Sequence, residues 1–418
     1  MNRADDEPRH QARFQSPCGG TPPELVIEHA TVMTPWLRLD DHSVWLQGGR
    51  ITALAPTAEL PPPANATCIA AEGLIATPGW LDLQCNGGFG HDFTHDPSSL
   101  WTVAARLPTQ GVTAFLPTII TAAPEVVTHA LAVWRAGPPS GWRGARPLGF
   151  HLEGPFLNPG KKGAHDPAFM RLPSLDAIAD WTPANGVRLV TLAPELPGAL
   201  AVTAALRDRG IVVSAGHSLA SFDEAQAGFQ AGVNMGTHLF NAMPTLQSRA
   251  PGLAGALLTT AGVVTGLIAD GIHVHPALVR LAWQCKGSQD LALVTDAMAA
   301  LGMPDGVYHL GGYEVTVAQQ TARLADGTLA GSVLALDAAL RNLAAFSGCS
   351  LHEALPTITS TPARLLGLDR PEASAAAGLP GALGSIRAGA AADLTLVTPQ
   401  GEVVMTIVGG EVVFRAAE

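Results

Sequence analysis

Two stretches, "VVSAGHSLAS" (Val212 to Ser221) and "NMGTHLFNAM" (Asn234 to Met243), climb through small and apolar residues and stop at a histidine. His217 and His238 are 21 residues apart, a spacing that puts them on successive strands of an alternating α/β chain. A third polar residue, Glu153, closes the apolar run in "FHLEGPF". Two imidazoles and one carboxylate make a three-ligand set with a fourth position open, the pattern of catalytic rather than structural zinc sites. A divalent cation held this way lowers the pKa of bound water and polarises a carbonyl. Each histidine alone has an ordinary explanation, since a strand-end imidazole can simply hydrogen-bond a neighbour. Three such residues at predicted strand ends favour a metal.

Other candidates surround this set. Asp296 ends "LVTDAM", where it could cap a helix or act as a general base toward a metal-activated water. His151, two residues before Glu153, points to the same side of its strand and is read as core. His273 and His275 in "DGIHVHP" follow a turn-like Asp-Gly, so a loop position and a substrate contact compete with metal ligation. "NPGKKGAH" is a Gly-rich loop with the wrong spacing for a Walker phosphate loop. Its Lys161 and Lys162 are read as solvated, and its His165 could reach over the site.

Residues so far apart converge only if the fold brings strand ends together. Eight β-branched runs, with helical stretches such as Leu200 to Arg209 and Phe222 to Ala231 between most of them, are "GWLDLQCNG", "VTAFLPTII", "PLGFHLEGPF", "VRLVTLAPE", "IVVSAGHS", "VNMGTHLFN", "VTGLIADGI" and "LALVTDAM". Continuous apolar strands suit a parallel sheet covered by helices, and eight βα repeats predict a (β/α)8 TIM barrel. The runs end at Gln84, Thr118, Glu153, Glu195, His217, His238, Asp270 and Asp296. A barrel gathers all strand C-termini on the face that carries the active site. That placement favours catalysis over capping for Asp296. Short alternating strands at both ends of the chain predict a small β-sandwich assembled from the two termini. The expected organisation is a flexible tail over 1–23, the small β-domain over 24–74 and 384–418, and the barrel over 75–383.

Composition narrows the function. A net charge of −11 argues against a nucleic-acid partner. The five cysteines (Cys18, Cys68, Cys85, Cys285, Cys349) are widely spaced with no C-x-x-C pair, which fits reduced thiols in the cytoplasm. There is no apolar signal core and no run of about 20 apolar residues, so neither export nor a membrane span is expected.

Together "HLEGPF", "KKGAH", "SAGHS", "THLFNAM", "IADGIHV", "LVTDAM" and "LAGS" resemble the N-acetylglucosamine-6-phosphate deacetylases of the amidohydrolase superfamily. The likeness covers most of residues 75–368 in order and extends to "GSIRAGAAADLTLV". It implies Glu153, His217 and His238 as metal ligands, Asp296 as catalytic acid/base and His165 as the carbonyl-side histidine. It implies substrate contacts at Gln84, Asn86, His165, Asn241, Ala242, Arg249, His273, Leu329, Ala330 and Gly331. It further implies a homodimer in which Arg249 reaches a neighbour's phosphate site, and one divalent ion per subunit, with zinc ahead of iron, manganese or cobalt. Many amidohydrolases carry His-x-His on the first strand and bind a second metal. Here that place reads Gln84-Cys85-Asn86, as in the one-metal branch, and Cys85 is expected to pack on the opposite side of the strand.

The expected reaction is hydrolysis of the N-acetyl group of N-acetyl-D-glucosamine 6-phosphate. Rival readings are the galacto epimer as substrate, an N-acyl-amino-acid deacylase, and a non-catalytic barrel. The last would be expected to lose its ligands, whereas Glu153, His217, His238 and Asp296 are all present.

Overall fold

The β-branched runs form strands buried on both faces, as a sheet wrapped by helices requires. In the computed structural model, which describes residues 24–417, all nine residues of Val112–Ile120 are buried. The expected tail over 1–23 lies outside the described residues. Eight parallel strands follow in chain order: β1 (Trp80–Cys85), β2 (Val112–Ile120), β3 (Phe150–Glu153), β4 (Val187–Leu192), β5 (Val212–Ala215), β6 (Met235–Gly236), β7 (Val264–Leu267) and β8 (Leu291–Leu293). Each pairs with its sequence neighbour. The ring closes just beyond β8, where Asp296 N donates to Gln84 O at 2.9 Å and Asn86 N to Ala297 O at 2.7 Å. This is the predicted (β/α)8 barrel.

Helices Ala199–Asp208 and Phe222–Ala231 fall where the sequence placed them, the second opened by a capping box between Ser221 and Glu224. The crossover after β3 differs. Between residues 154 and 186 it runs through short 3₁₀ turns, and it carries Lys161 to His165. A second departure follows β8: Gly306–Leu310, Tyr313–Ala318 and Thr321–Arg323 form a three-stranded antiparallel sheet. It packs Leu310, Val315, Val317 and Ala322 on Met298, Ala299 and Ala300 beside the barrel mouth.

The termini meet in one eight-stranded sheet over its own apolar core. The expected sandwich is thus a continuous mixed sheet folded on itself. Its edge strand Arg50–Pro56 reaches back to the segment before Leu394–Val397, with Ile51 N donating to Ala390 O at 2.9 Å. Ile75–Pro78, counted with the barrel in the sequence reading, pairs in this sheet with Leu394–Val397. Among the described residues no helix is long and apolar enough to cross a membrane.

Candidate active site

The barrel brings Glu153, His217 and His238 from β3 and from the turns just after β5 and β6 into one buried triangle. Glu153 Oε1 lies 3.1 Å from both His217 Nε2 and His238 Nε2, and the two imidazole nitrogens are 3.1 Å apart. His217 Nδ1 donates to Lys161 O at 2.8 Å, which leaves Nε2 as the lone-pair nitrogen. Apart from histidines, no cationic side chain among the described residues pairs with Glu153. Such a triangle is short of positive charge, and its spacing is what ligand atoms about 2.0–2.2 Å from a single ion adopt. The residues fit a divalent metal. Burial alone would raise the pKa of Glu153, but the two imidazoles outweigh it and hold the carboxyl well below the ordinary range.

Asp296 stands opposite, at the seam between β8 and β1. Its Oδ1 accepts from Asn86 Nδ2 at 2.7 Å and from Gln84 Nε2 at 3.1 Å, and Gln84 Nε2 also donates to Glu153 Oε1 at 3.2 Å. Burial, then the charge on Glu153, pushes the Asp296 pKa up. A carboxyl tuned in that direction is a stronger base than an ordinary aspartate and suits the taking and returning of a proton.

His165 completes the site from the long loop. Thr121 N donates to His165 Nδ1 at 3.2 Å, while Thr121 Oγ1 donates to Glu153 O at 3.1 Å. The proton therefore sits on Nε2, which lies 3.8 Å from Glu153 Oε2. Burial and the neighbouring His217 lower the His165 pKa to about 3, so the ring is a neutral donor.

Three residues of this constellation have left-handed backbone: His217 (φ 48°), His238 (φ 32°) and Asp296 (φ 49°). That region is sparsely populated by side-chain-bearing residues and costs on the order of 1–3 kcal/mol at each position. Each follows the end of a strand, where the backbone turns sharply outward and aims the side chain over the barrel mouth.

Above the triangle opens a cavity of about 480 Å³. Asn86, Asn241, Ala242, His273, Leu329 and Gly331 line it, as do Lys161 and Lys162. Gln84 is fully buried beneath. Ala330 is also fully buried, packed with the three-stranded sheet instead of facing the cavity. Arg249 is exposed on the segment 244–250 and does not line its own chain's cavity.

Several strand-end expectations resolve elsewhere. Thr118 Oγ1 accepts from Cys85 N inside the barrel. Asp270 accepts from the His273 ring at 2.6 Å, with the pKa of the carboxyl lowered. Glu195 bonds two loops and does not reach the cavity. His275 caps helix Pro276–Lys286 through Ala277 N and pairs with no metal ligand. His151 is core, wedged between Thr118 and Thr191, and burial drives its pKa down to about 4. The sequence reading missed Thr121, a threonine one residue past β2 that fixes the His165 tautomer. It also missed the sheet over 306–323, although "VYHLGGYEVTV" has the alternation and Gly-Gly turn of a hairpin.

Residues 99–413 match the profile described as the amidohydrolase family. The N-acetylglucosamine-6-phosphate deacetylase of Bacillus subtilis (strain 168) is 36% identical over 402 residues, covering 94% of this chain and 98% of that one. The N-acetylgalactosamine-6-phosphate deacetylase of Escherichia coli O157:H7 is 38% identical over 358 residues, covering 84% and 89%. A mutant N-acetyl-D-glucosamine-6-phosphate deacetylase from Mycobacterium smegmatis, solved in complex with N-acetyl-D-glucosamine-6-phosphate, superposes with a TM-score of 0.82 at 34% identity over 94% of this chain and 99% of that one. The chain belongs to the amidohydrolase family and stands within it among the amino-sugar 6-phosphate deacetylases.

Proposed function

We propose that this chain hydrolyses the N-acetyl group of N-acetyl-D-glucosamine 6-phosphate to D-glucosamine 6-phosphate and acetate. The observation that carries the reading is the pairing of a buried Glu153/His217/His238 triangle with an acid/base carboxyl and a neutral histidine donor at the floor of one cavity. One divalent ion per chain, held by Glu153, His217 and His238, would supply a Lewis acid and an activated water when bound; zinc is our first candidate, with iron, manganese and cobalt as alternatives.

Asp296 accepts the proton of the attacking water and delivers it to the sugar nitrogen as the amide C–N bond breaks. Gln84 and Asn86 hold its Oδ1 through this transfer. His165 Nε2–H donates to the acetyl oxygen as negative charge develops there, an interaction stronger in the transition state than in the substrate. Asn241, Ala242, His273, Leu329 and Gly331, which line the cavity, are the proposed contacts to the sugar phosphate.

Homodimerisation with Arg249 crossing to the neighbouring subunit's phosphate is part of this proposal. It is supported by the exposure of Arg249 away from its own cavity. A cytoplasmic location is proposed from the scattered cysteines without a C-x-x-C pair. The similarity to the Escherichia coli protein favours a second reading, the galacto epimer. Acetate release from a panel of N-acetyl sugars, with and without the 6-phosphate, and of N-acetyl amino acids tests both: hydrolysis confined to unphosphorylated sugars or to the amino acids would overturn them.

A further inference from the structure

Glu195 is a strand-end carboxylate that the reaction above leaves unused. It stands just past β4, half-buried, and does not line the cavity. Its two oxygens collect donors from two different loops. Oε1 accepts from Asn158 Nδ2 at 3.0 Å and from Leu219 N at 2.6 Å, and Oε2 accepts from Ser218 Oγ at 2.7 Å. Asn158 begins the loop that carries Lys161, Lys162 and His165. Ser218 and Leu219 directly follow His217.

The same two loops touch again next to this carboxylate. Asn158 N donates to His217 O at 2.9 Å, and the His217 ring is aimed by its bond to Lys161 O at 2.8 Å. They are packed so closely that a Cβ on Gly160 would lie 2.9 Å from Leu219 Cδ1. The carbonyl that orients a metal-binding imidazole thus belongs to a lysine whose residue walls the substrate cavity. Any shift of the loop moves both.

We propose that Glu195 is a positioning residue that locks the 158–165 loop to His217, so that the cavity wall and the metal ligand hold each other in register. This rests on the metal reading given above. All three partners of Glu195 are donors, and an ionised carboxylate only accepts, through two oxygens; bonds to it are the strong, charge-assisted kind. Glutamine has the same shape but must turn an NH₂ toward one of these partners. Turned toward Ser218, that NH₂ would occupy the hydroxyl's second lone pair beside Ala220 N (2.9 Å) and turn its O–H away, so the charge-assisted bond from Ser218 would be lost.

The test is zinc release from the zinc-loaded full-length chain to an excess of a colour-forming chelator, without substrate, at a temperature where parent and Glu195→Gln are both folded by circular dichroism. Groups that orient a ligand imidazole typically contribute about 10–100-fold to metal affinity. Glu195→Gln should release zinc about tenfold faster or more, with a raised KM for the 6-phosphate substrate. A purely structural residue would lower the melting temperature and leave the release rate of the folded protein unchanged. Equal release rates from folded parent and variant overturn the lock. A parent that retains neither zinc nor, loaded in its place, iron, manganese or cobalt is a different result, and it overturns the metal reading on which the lock rests. Should Glu195→Gln fail to fold, Ser218→Ala, which removes a single arm, carries the comparison: faster release supports the lock and unchanged release overturns it.

Discussion

Asn86 Nδ2 lies 2.7 Å from Asp296 Oδ1, across the seam where the first barrel strand meets the last. With Gln84 on the same oxygen, one side of the carboxyl is held by two amides, and Oδ2 takes no hydrogen bond from the described residues. Asp296→Asn preserves this shape but cannot accept the water's proton or return it to the amine. The variant should keep its metal and lose roughly 10²–10⁴-fold in kcat, the usual contribution of general acid–base catalysis. Full metal content with kcat within a few-fold of the parent would reduce Asp296 to a structural carboxylate.

Elemental analysis of the purified protein should give close to one divalent ion per chain. At the end of the first strand stand Gln84 and Asn86, neutral amides whose NH₂ groups donate to Asp296 and which poorly replace the two imidazoles a second ion would need. His217→Ala leaves two protein ligands and should lose both ion and turnover. A reproducible stoichiometry near two, with both ions at the strand ends, would refute the single-ion assignment.

Arg249 is exposed on an acidic protein whose proposed substrate is a phosphate dianion. A guanidinium matches phosphate oxygens with a planar fork of donors. Arg249→Ala should raise KM for the 6-phosphate sugar about 10–100-fold, as expected for a lost charged hydrogen bond of about 1.5–3 kcal/mol. It should barely change kcat/KM for unphosphorylated N-acetylglucosamine. Equal losses on both substrates would assign Arg249 to the fold or to subunit contact. If the residue acts across a dimer, mixing Arg249→Ala with Asp296→Asn subunits should restore part of the activity, because one class of mixed site is then complete. Confirmed heterodimers without recovery would place Arg249 in its own subunit's site.

Asp82, buried on β1, accepts from Gln84 N at 3.2 Å and from Thr295 Oγ1 at 2.5 Å, and burial pushes its pKa up to about 7. An unfolded aspartate ionises near pH 4 (about 3.9). Between about pH 4 and 7 the native chain therefore keeps a proton that the unfolded chain has lost. The stability this group contributes is complete below about pH 4, falls as pH rises, and levels off above about 7. Asp82→Asn is neutral throughout, and its amide can donate to Thr295 Oγ1 while that hydroxyl keeps its bond to Gln84 O at 3.1 Å. In urea melts at four pH values from 4.5 to 7.5 (roughly the titration window), stability of the variant relative to the parent should increase with pH. A difference independent of pH would mean that Asp82 titrates alike in both states.

Strand ends were legible because a parallel strand in a covered sheet is apolar along its whole length and turns polar only where it leaves the core. That rule found Glu153, His217, His238 and Asp296. It also selected Glu195 and Asp270, because exit from the core does not say whether a side chain turns toward the axis or toward the next loop. The left-handed backbone at His217, His238 and Asp296 decides that direction, and residue type does not announce it: histidine and aspartate enter that region more often than most residues, but only a minority of them do, and glycine marks none of the three positions. Thr121 was invisible for a related reason. It works through a backbone N–H and a hydroxyl bonded to a backbone carbonyl, and such contacts depend on where two distant loops lie.

The shared terminal sheet sets the order in which the molecule can be completed. Thr77 Oγ1 donates to Thr395 O across 318 residues of chain, and Ile75–Pro78 finds a hydrogen-bonded edge on Leu394–Val397. On a ribosome adding about 5–20 residues per second, the first strands wait on the order of tens of seconds for that edge to be synthesised. During this interval β1, which continues directly from Ile75–Pro78, enters a barrel whose closing strand β8 is also far downstream. Contacts of such long sequence separation form slowly, so the nascent chain carries open strand edges until nearly its last residue, and loss of the final strands would strand the first ones as well.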